Sequence, residues 1–317
     1  MPPTCTITLM SRKRRPGMFW AMKPVLTLAV LMMPGWFGHI RYWTPIVHKD
    51  DHRDLARQAL RSLLKEGIVE RGSEVARHGM VIEESCGHLD RVESEVRGTD
   101  SGGLERDNSH FYDPVARRGF DDGRLVNALE EYRDFWARAL VHYRLEELGQ
   151  AFTRLGYCCH LLQDMAVPAH THCVMHGPRN RTADNLELVA SSRCFRLRVP
   201  AGSPRAGDED AHEALFVAMA MESRGREAFD TEERNEIAGV LERYYDQPGW
   251  TRSGWQGAYL GTPYYPYHRF LPSSPRIRLG DMVALRNFLM CRAAERTAQL
   301  VHHFALVTGC RKEGPGP

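Results

Sequence analysis

Residues 145–165 form a helical stretch more apolar than the one before it, and it ends on groups that resist burial: His160, Asp164 and, just beyond, His170. Leu161, Leu162, Met165, Ala166 and Val167 surround them. A helix that is apolar on most sides belongs inside a protein. A carboxylate taken inside is costly unless it meets a cation or hydrogen-bond donors. The fold must therefore wrap other helices around residues 145–165 and supply a partner for Asp164. Pro168 stops the helix, because proline lacks an N–H and clashes with the preceding turn. Residues four apart share a helix face, about 6 Å apart at Cβ, so His160 and Asp164 can reach one point. The turn at Pro168 lets His170 return towards it. Nitrogen and carboxylate donors suit Zn²⁺, which binds both at about 2.0–2.2 Å. A core His–Asp hydrogen bond with an unrelated His170 fits the same residues, and the segment alone does not choose.

Other stretches carry apolar residues at helical spacing: 52–65, 125–142, 211–223, 231–245 and 281–306. Residues 70–107 read as helix fragments and a long loop, 179–204 as an irregular connection with a short helical piece near 185–190. Residues 247–275 read as an aromatic loop rich in Pro and Gly. No run of alternating strands is found. The expected fold is all-α, a multi-helix single domain over residues 36–308, followed by a frayed, disordered tail at 309–317. With 43% hydrophobic and 26% charged residues the chain is globular in composition.

Residues 1–35 read as a targeting segment. A basic run, Arg12 to Arg15, precedes PVLTLAVLMM at 24–33, which has the length of a signal-peptide core and is too short to span a membrane. A secreted or periplasmic protein is expected, with no later membrane span. Net charge is +2, from 42 basic and 40 acidic residues, which gives no electrostatic footprint for a nucleic-acid partner. A monomer is expected. The eight cysteines include no CxxC pair, which argues against a thiolate zinc knuckle. Cys158 and Cys159 read as small buried hydrophobes, and one or two disulfides would suit an exported chain. Histidine is the unusual residue: there are 15, many between His39 and His176. Imidazole is both the commonest metal ligand and the usual proton carrier near neutral pH.

Two upstream features belong with residues 160–170. One is His110-Phe111-Tyr112-Asp113-Pro114; the other is His52, which opens the helix at 52–65. Taken in order, HRDLARQAL at 52–60, HFYDP at 110–114 and QAFTRLGYCCHLLQDMAVPAH at 150–170 resemble the zinc-dependent phospholipase C family, related more distantly to the S1/P1 nucleases. The resemblance covers roughly residues 43–190. It implies a phospholipase C/P1 nuclease-like helical fold with a cleft for up to three zinc ions, where the family holds a hydroxide that attacks a phosphodiester in line.

Carried over residue by residue, the resemblance implies that His160, Asp164 and His110 bind one ion, with an acidic residue before His110 as fourth ligand or base. That residue matches Glu84, with Asp90 as a fallback; the family has Asp there. Asp164 would bridge to a second ion completed by His52 and a mature N-terminal Trp, for which Trp36 and Trp43 are both candidates. His170 would bind the third ion with Glu187 and a later His. The family's His position holds Ala183 here, so His176, His172 or Asp184 would have to substitute, and two ions fit as well as three. The implied activity is hydrolysis of a phospholipid or other phosphodiester, with peripheral membrane contact. A single-strand nuclease and a non-catalytic metal-stabilised domain of the same fold are the alternatives.

Overall fold

Periodicity becomes helix along most of the described residues in the computed structural model, which describes residues 47–89, 109–119, 126–173, 208, 210–225, 239, 241, 259–260, 276–277 and 279–310. These residues fall within one compact unit, Thr44–Pro317. The helices are α1 (Val47–Lys65), α2 (Glu74–Arg77), α3 (Gly79–Cys86), α4 (Ala128–Arg144), α5 (Leu148–Asp164), α6 (Pro168–Thr171), α7 (Ala211–Arg224) and α8 (Leu279–Thr308). A two-residue parallel pair, β1 (Tyr259–Leu260) and β2 (Arg276–Ile277), is the only sheet among the described residues. No described helix is long and apolar enough to cross a membrane. The targeting segment, the stretch around 185–190 and the tail at 311–317 lie outside the described residues, as does most of 231–245 and 247–275.

α5 is the centre of the bundle. It packs against α1, α3, α4, α7 and α8, and every residue from Leu155 to Thr171 is buried. That is the solution its apolar sequence demands. α4 and α5 form a hairpin across Leu145–Glu147, with Glu146 in the left-handed region at φ 60°. A capping box starts α4 at Ala128, three residues later than its apolar pattern begins. Asn127 accepts from the N–H groups of Leu129 and Glu130, and the Glu130 side chain accepts from Asn127 N–H. α1 begins at Val47 rather than at His52, so His52 sits one turn inside the helix instead of opening it. Pro168 does end α5, and it also begins α6, where its missing N–H costs nothing. Cys158 and Cys159 are fully buried. Among the described residues Cys158, Cys159 and Cys310 are free thiols.

α7 and α8 are joined by a buried charge cluster. The Glu222 carboxylate accepts from Arg292 Nε at 3.0 Å and from Arg296 Nη2 at 2.8 Å. Burial alone would push the Glu222 carboxyl up, but hydrogen bonds and charge from the two guanidinium groups hold it below the usual range. A depressed carboxylate contributes stability above its unfolded pKa of about 4.3, and that stability is lost as pH falls through the folded value. Glu222→Gln is expected to cost about 2–3 kcal/mol at pH 7, slightly under the value for a fully buried pair because both arginines are partly exposed. Urea unfolding should show the gap between wild type and variant closing below about pH 4.

Candidate metal centre

Gly156 makes the centre possible. A Cβ there would lie 2.6 Å from Ser85 Cβ, 2.8 Å from Ile82 O and 3.1 Å from Cys86 N. Only glycine lets the backbones of α3 and α5 approach so closely. Cys86 is the last residue of α3, and its carbonyl is one of the terminal groups a helix cannot satisfy internally. His160, one turn after Gly156, donates to it from Nδ1 at 2.7 Å.

Two other imidazoles are anchored in the same way. His52, on α1, donates from Nδ1 to the Gln163 side-chain oxygen at 2.9 Å. His170, on α6, donates from Nδ1 to the His110 carbonyl at 2.8 Å. A carbonyl cannot donate, so in all three rings Nδ1 carries the hydrogen, and in the neutral ring Nε2 keeps the lone pair. Residues 110–112 lie along α6: Tyr112 N–H donates back to His170 O at 3.3 Å, and Phe111 stacks on the His170 ring at 5.0 Å. The Phe111 carbonyl accepts from Ala128 N–H, which ties the segment to the start of α4.

Asp164 is the hub. Its Oδ1 lies 3.4 Å from His52 Nε2. Its Oδ2 lies 3.3 Å from His160 Nε2 and 2.6 Å from His110 Nδ1. The His52 and His160 rings stack at 4.1 Å, and His110 meets His160 edge-on at 5.3 Å. His52, His160 and Asp164 each offer a ligand atom, all within 4.8 Å of one another. Burial would push the Asp164 carboxyl up. The charges of His160, His170 and His110, with the hydrogen bond from His110, overcome it and hold Asp164 well below the usual carboxylate range. It is therefore an anion inside the protein, ringed by imidazoles.

His52, His110, His160 and Asp164 are thus brought together, and His170 adjoins them through His110, with rings 6.3 Å apart. Glu84 is not brought in. On α3, Ile82 and Cys86 face the core, and position 84 points about 200° away from both by helix geometry. Its carboxylate is 52% exposed and lies 3.7 Å from Arg53. His172 donates from Nδ1 to the Pro168 carbonyl at 2.6 Å. Asp90, His176, Ala183, Asp184 and Glu187 lie outside the described residues. Sequence reasoning passed over Gln163, the Cys86 carbonyl and Gly156. A glycine inside an apolar helix, one turn from His160, is the one local signal among these, since it costs about 1 kcal/mol against alanine and so raises the question of a packing reason.

His212 and His303 show why histidine abundance misleads. Both lie parallel to the Trp136 indole, at 4.5 and 5.6 Å, and His303 is fully buried. Burial, then the neighbouring His212, lowers the His303 pKa, so the ring stays neutral and serves as core.

No protein-family model matches the sequence, and no curated protein matches it. Among solved structures, the alpha toxin from Clostridium absonum aligns with a TM-score of 0.51 at 13% sequence identity. The match covers 83% of this chain and 65% of the toxin's, so the chain spans less than two thirds of that protein's length. At such identity the match establishes the fold alone: all-α and phospholipase C-like.

Proposed function

We propose that this chain is an exported, zinc-dependent phosphoric ester hydrolase of phospholipase C type. The observation that carries the proposal is the convergence of His52 Nε2 and His160 Nε2 on the two oxygens of Asp164, each ring held by a carbonyl at Nδ1. Metal-binding histidines are held in this way, with the second nitrogen spent on an acceptor. Two imidazoles and a carboxylate suit zinc, so the residues present fit the metal. His52, His160 and Asp164 would hold it, with His110 and His170 beside them for a second or third ion. Such ions lower the pKa of bound water and neutralise charge developing on phosphoryl oxygens. The chain's own part is positional. Asp164 keeps its negative charge between the rings, and it is itself buried, as are its chain neighbours Leu161, Leu162 and Met165. The substrate class is a phospholipid or related phosphodiester, reached by peripheral contact with a membrane.

Zinc supplied to metal-free protein is expected to bind at two or three equivalents and to restore hydrolysis of a chromogenic phosphodiester. At a thousandfold over its dissociation constant, zinc should also add about 4 kcal/mol of stability. A protein that takes up no zinc, or takes it up without turnover, overturns the proposal. The second of these outcomes is the signature of a metal-stabilised, non-catalytic domain. The exposed position of Glu84, which leaves the described cluster without its second carboxylate, favours that reading.

A further inference from the structure

Thr297 lies fully buried on α8, and its hydroxyl has one polarity available. Oγ1 donates to the Ala293 carbonyl one turn back, at 2.8 Å. With its hydrogen spent there, Oγ1 accepts from the Gln163 amide nitrogen Nε2 at 3.2 Å. The amide is thereby oriented, with NH₂ towards α8 and Oε1 towards α1. The groups at the other end are compatible with that orientation. His52 Nδ1 lies 2.9 Å from Oε1, and the Cys86 thiol has two acceptors for its one hydrogen, the His52 carbonyl at 3.5 Å and Oε1 at 3.6 Å.

We infer that Gln163 and Thr297 are positioning residues for the metal centre: through them the C-terminal helix holds His52 in the Nδ1–H form, with the Nε2 lone pair towards Asp164. The inference rests on the reading of His52 as a metal ligand. Remove the Thr297 hydroxyl and nothing at α8 distinguishes the two ends of the amide. It can then rotate by half a turn and present NH₂ to His52. Nδ1 becomes the acceptor, the hydrogen moves to Nε2, and the ring faces Asp164 with a donor that cannot bind a cation. A purely space-filling Thr297 would have no effect on the tautomer.

The test combines zinc titration of the full chain with nitrogen-15 NMR of its imidazoles without metal, the His52 signals being assigned by their loss in His52→Gln. Wild type is expected to show His52 as Nδ1–H. Thr297→Val is expected to show Nε2–H or a mixture, and to bind zinc roughly ten- to a hundredfold more weakly. Thr297→Ser keeps the hydroxyl and should restore both. Combining Thr297→Val with Gln163→Glu places an acceptor before His52 whichever way the side chain rotates, and should restore the Nδ1–H form. If valine prevents folding, Thr297→Ala removes the same hydroxyl and is judged identically. A His52 that stays Nδ1–H without the hydroxyl overturns the inference. The underlying metal reading fails separately. A wild type that binds no zinc, but whose His52 tautomer still responds to Thr297, supports the orienting chain and overturns the ligand role.

Discussion

Asp164→Asn is expected to lose zinc binding and, with it, roughly three orders of magnitude in phosphodiester hydrolysis, the scale set by removing a main electrostatic contribution. Asp164 faces His52 with one oxygen and His110 and His160 with the other, so one carboxylate serves every ring of the cluster. Asparagine keeps the shape and removes the charge. It also puts an NH₂, which cannot bind a cation, where one oxygen stood. The metal-free variant should still fold with a melting temperature near that of metal-free wild type. It loses attraction to the histidines but no longer carries the desolvation cost of a buried anion, and such exchanges come close to balance. Zinc content, turnover and a thermal scan with chelator present check the three parts. Collapse of the metal-free variant would assign Asp164 a structural role and overturn the catalytic one.

Gly156→Val is expected to cost at least about 3 kcal/mol and to disable the metal centre as well. The contacts that a side chain would meet are backbone atoms of Ile82 and Cys86 and the Ser85 Cβ, none of which can rotate away. α3 and α5 must separate. The Cys86 carbonyl then leaves His160 Nδ1, and the ring loses the anchor that keeps Nε2 towards Asp164. Gly156→Ala separates the two effects. Helix propensity gains about 1 kcal/mol, while overpacking costs about 1–3 kcal/mol, so a net loss of about 1 kcal/mol is expected, with weaker zinc binding. Urea midpoints and zinc titration of both variants check this. An alanine variant more stable than wild type would show that α3 can yield.

Much of the fold is local in origin and was therefore legible. The apolar pattern of 145–165 required a buried helix, and α5 is one, because periodicity and burial are two expressions of the same preference. The spacing of His160 and Asp164 placed them on one helix face, since i and i+4 always are. Boundaries were less legible. α4 starts where Asn127 and Glu130 cap it, and α1 starts a turn before His52, so the apolar stripe marks a helix but not its ends.

Glu84 shows the limit for the site. Its place in the order of motifs suggested a ligand, yet ligand geometry depends on which face of α3 docks on α5. Ile82 and Cys86 took that face, and Glu84 went out to Arg53. By itself, then, the sequence determined a helical protein with a buried His–Asp pair at the end of its central helix. Tertiary structure alone decided what that pair can do. The carbonyls of Cys86, Gln163 and His110 that orient the three imidazoles come from α3, from the last turn of α5 held by α8, and from the strand of chain along α6. Hydrogen bonds between groups so distant along the chain leave no periodicity to read.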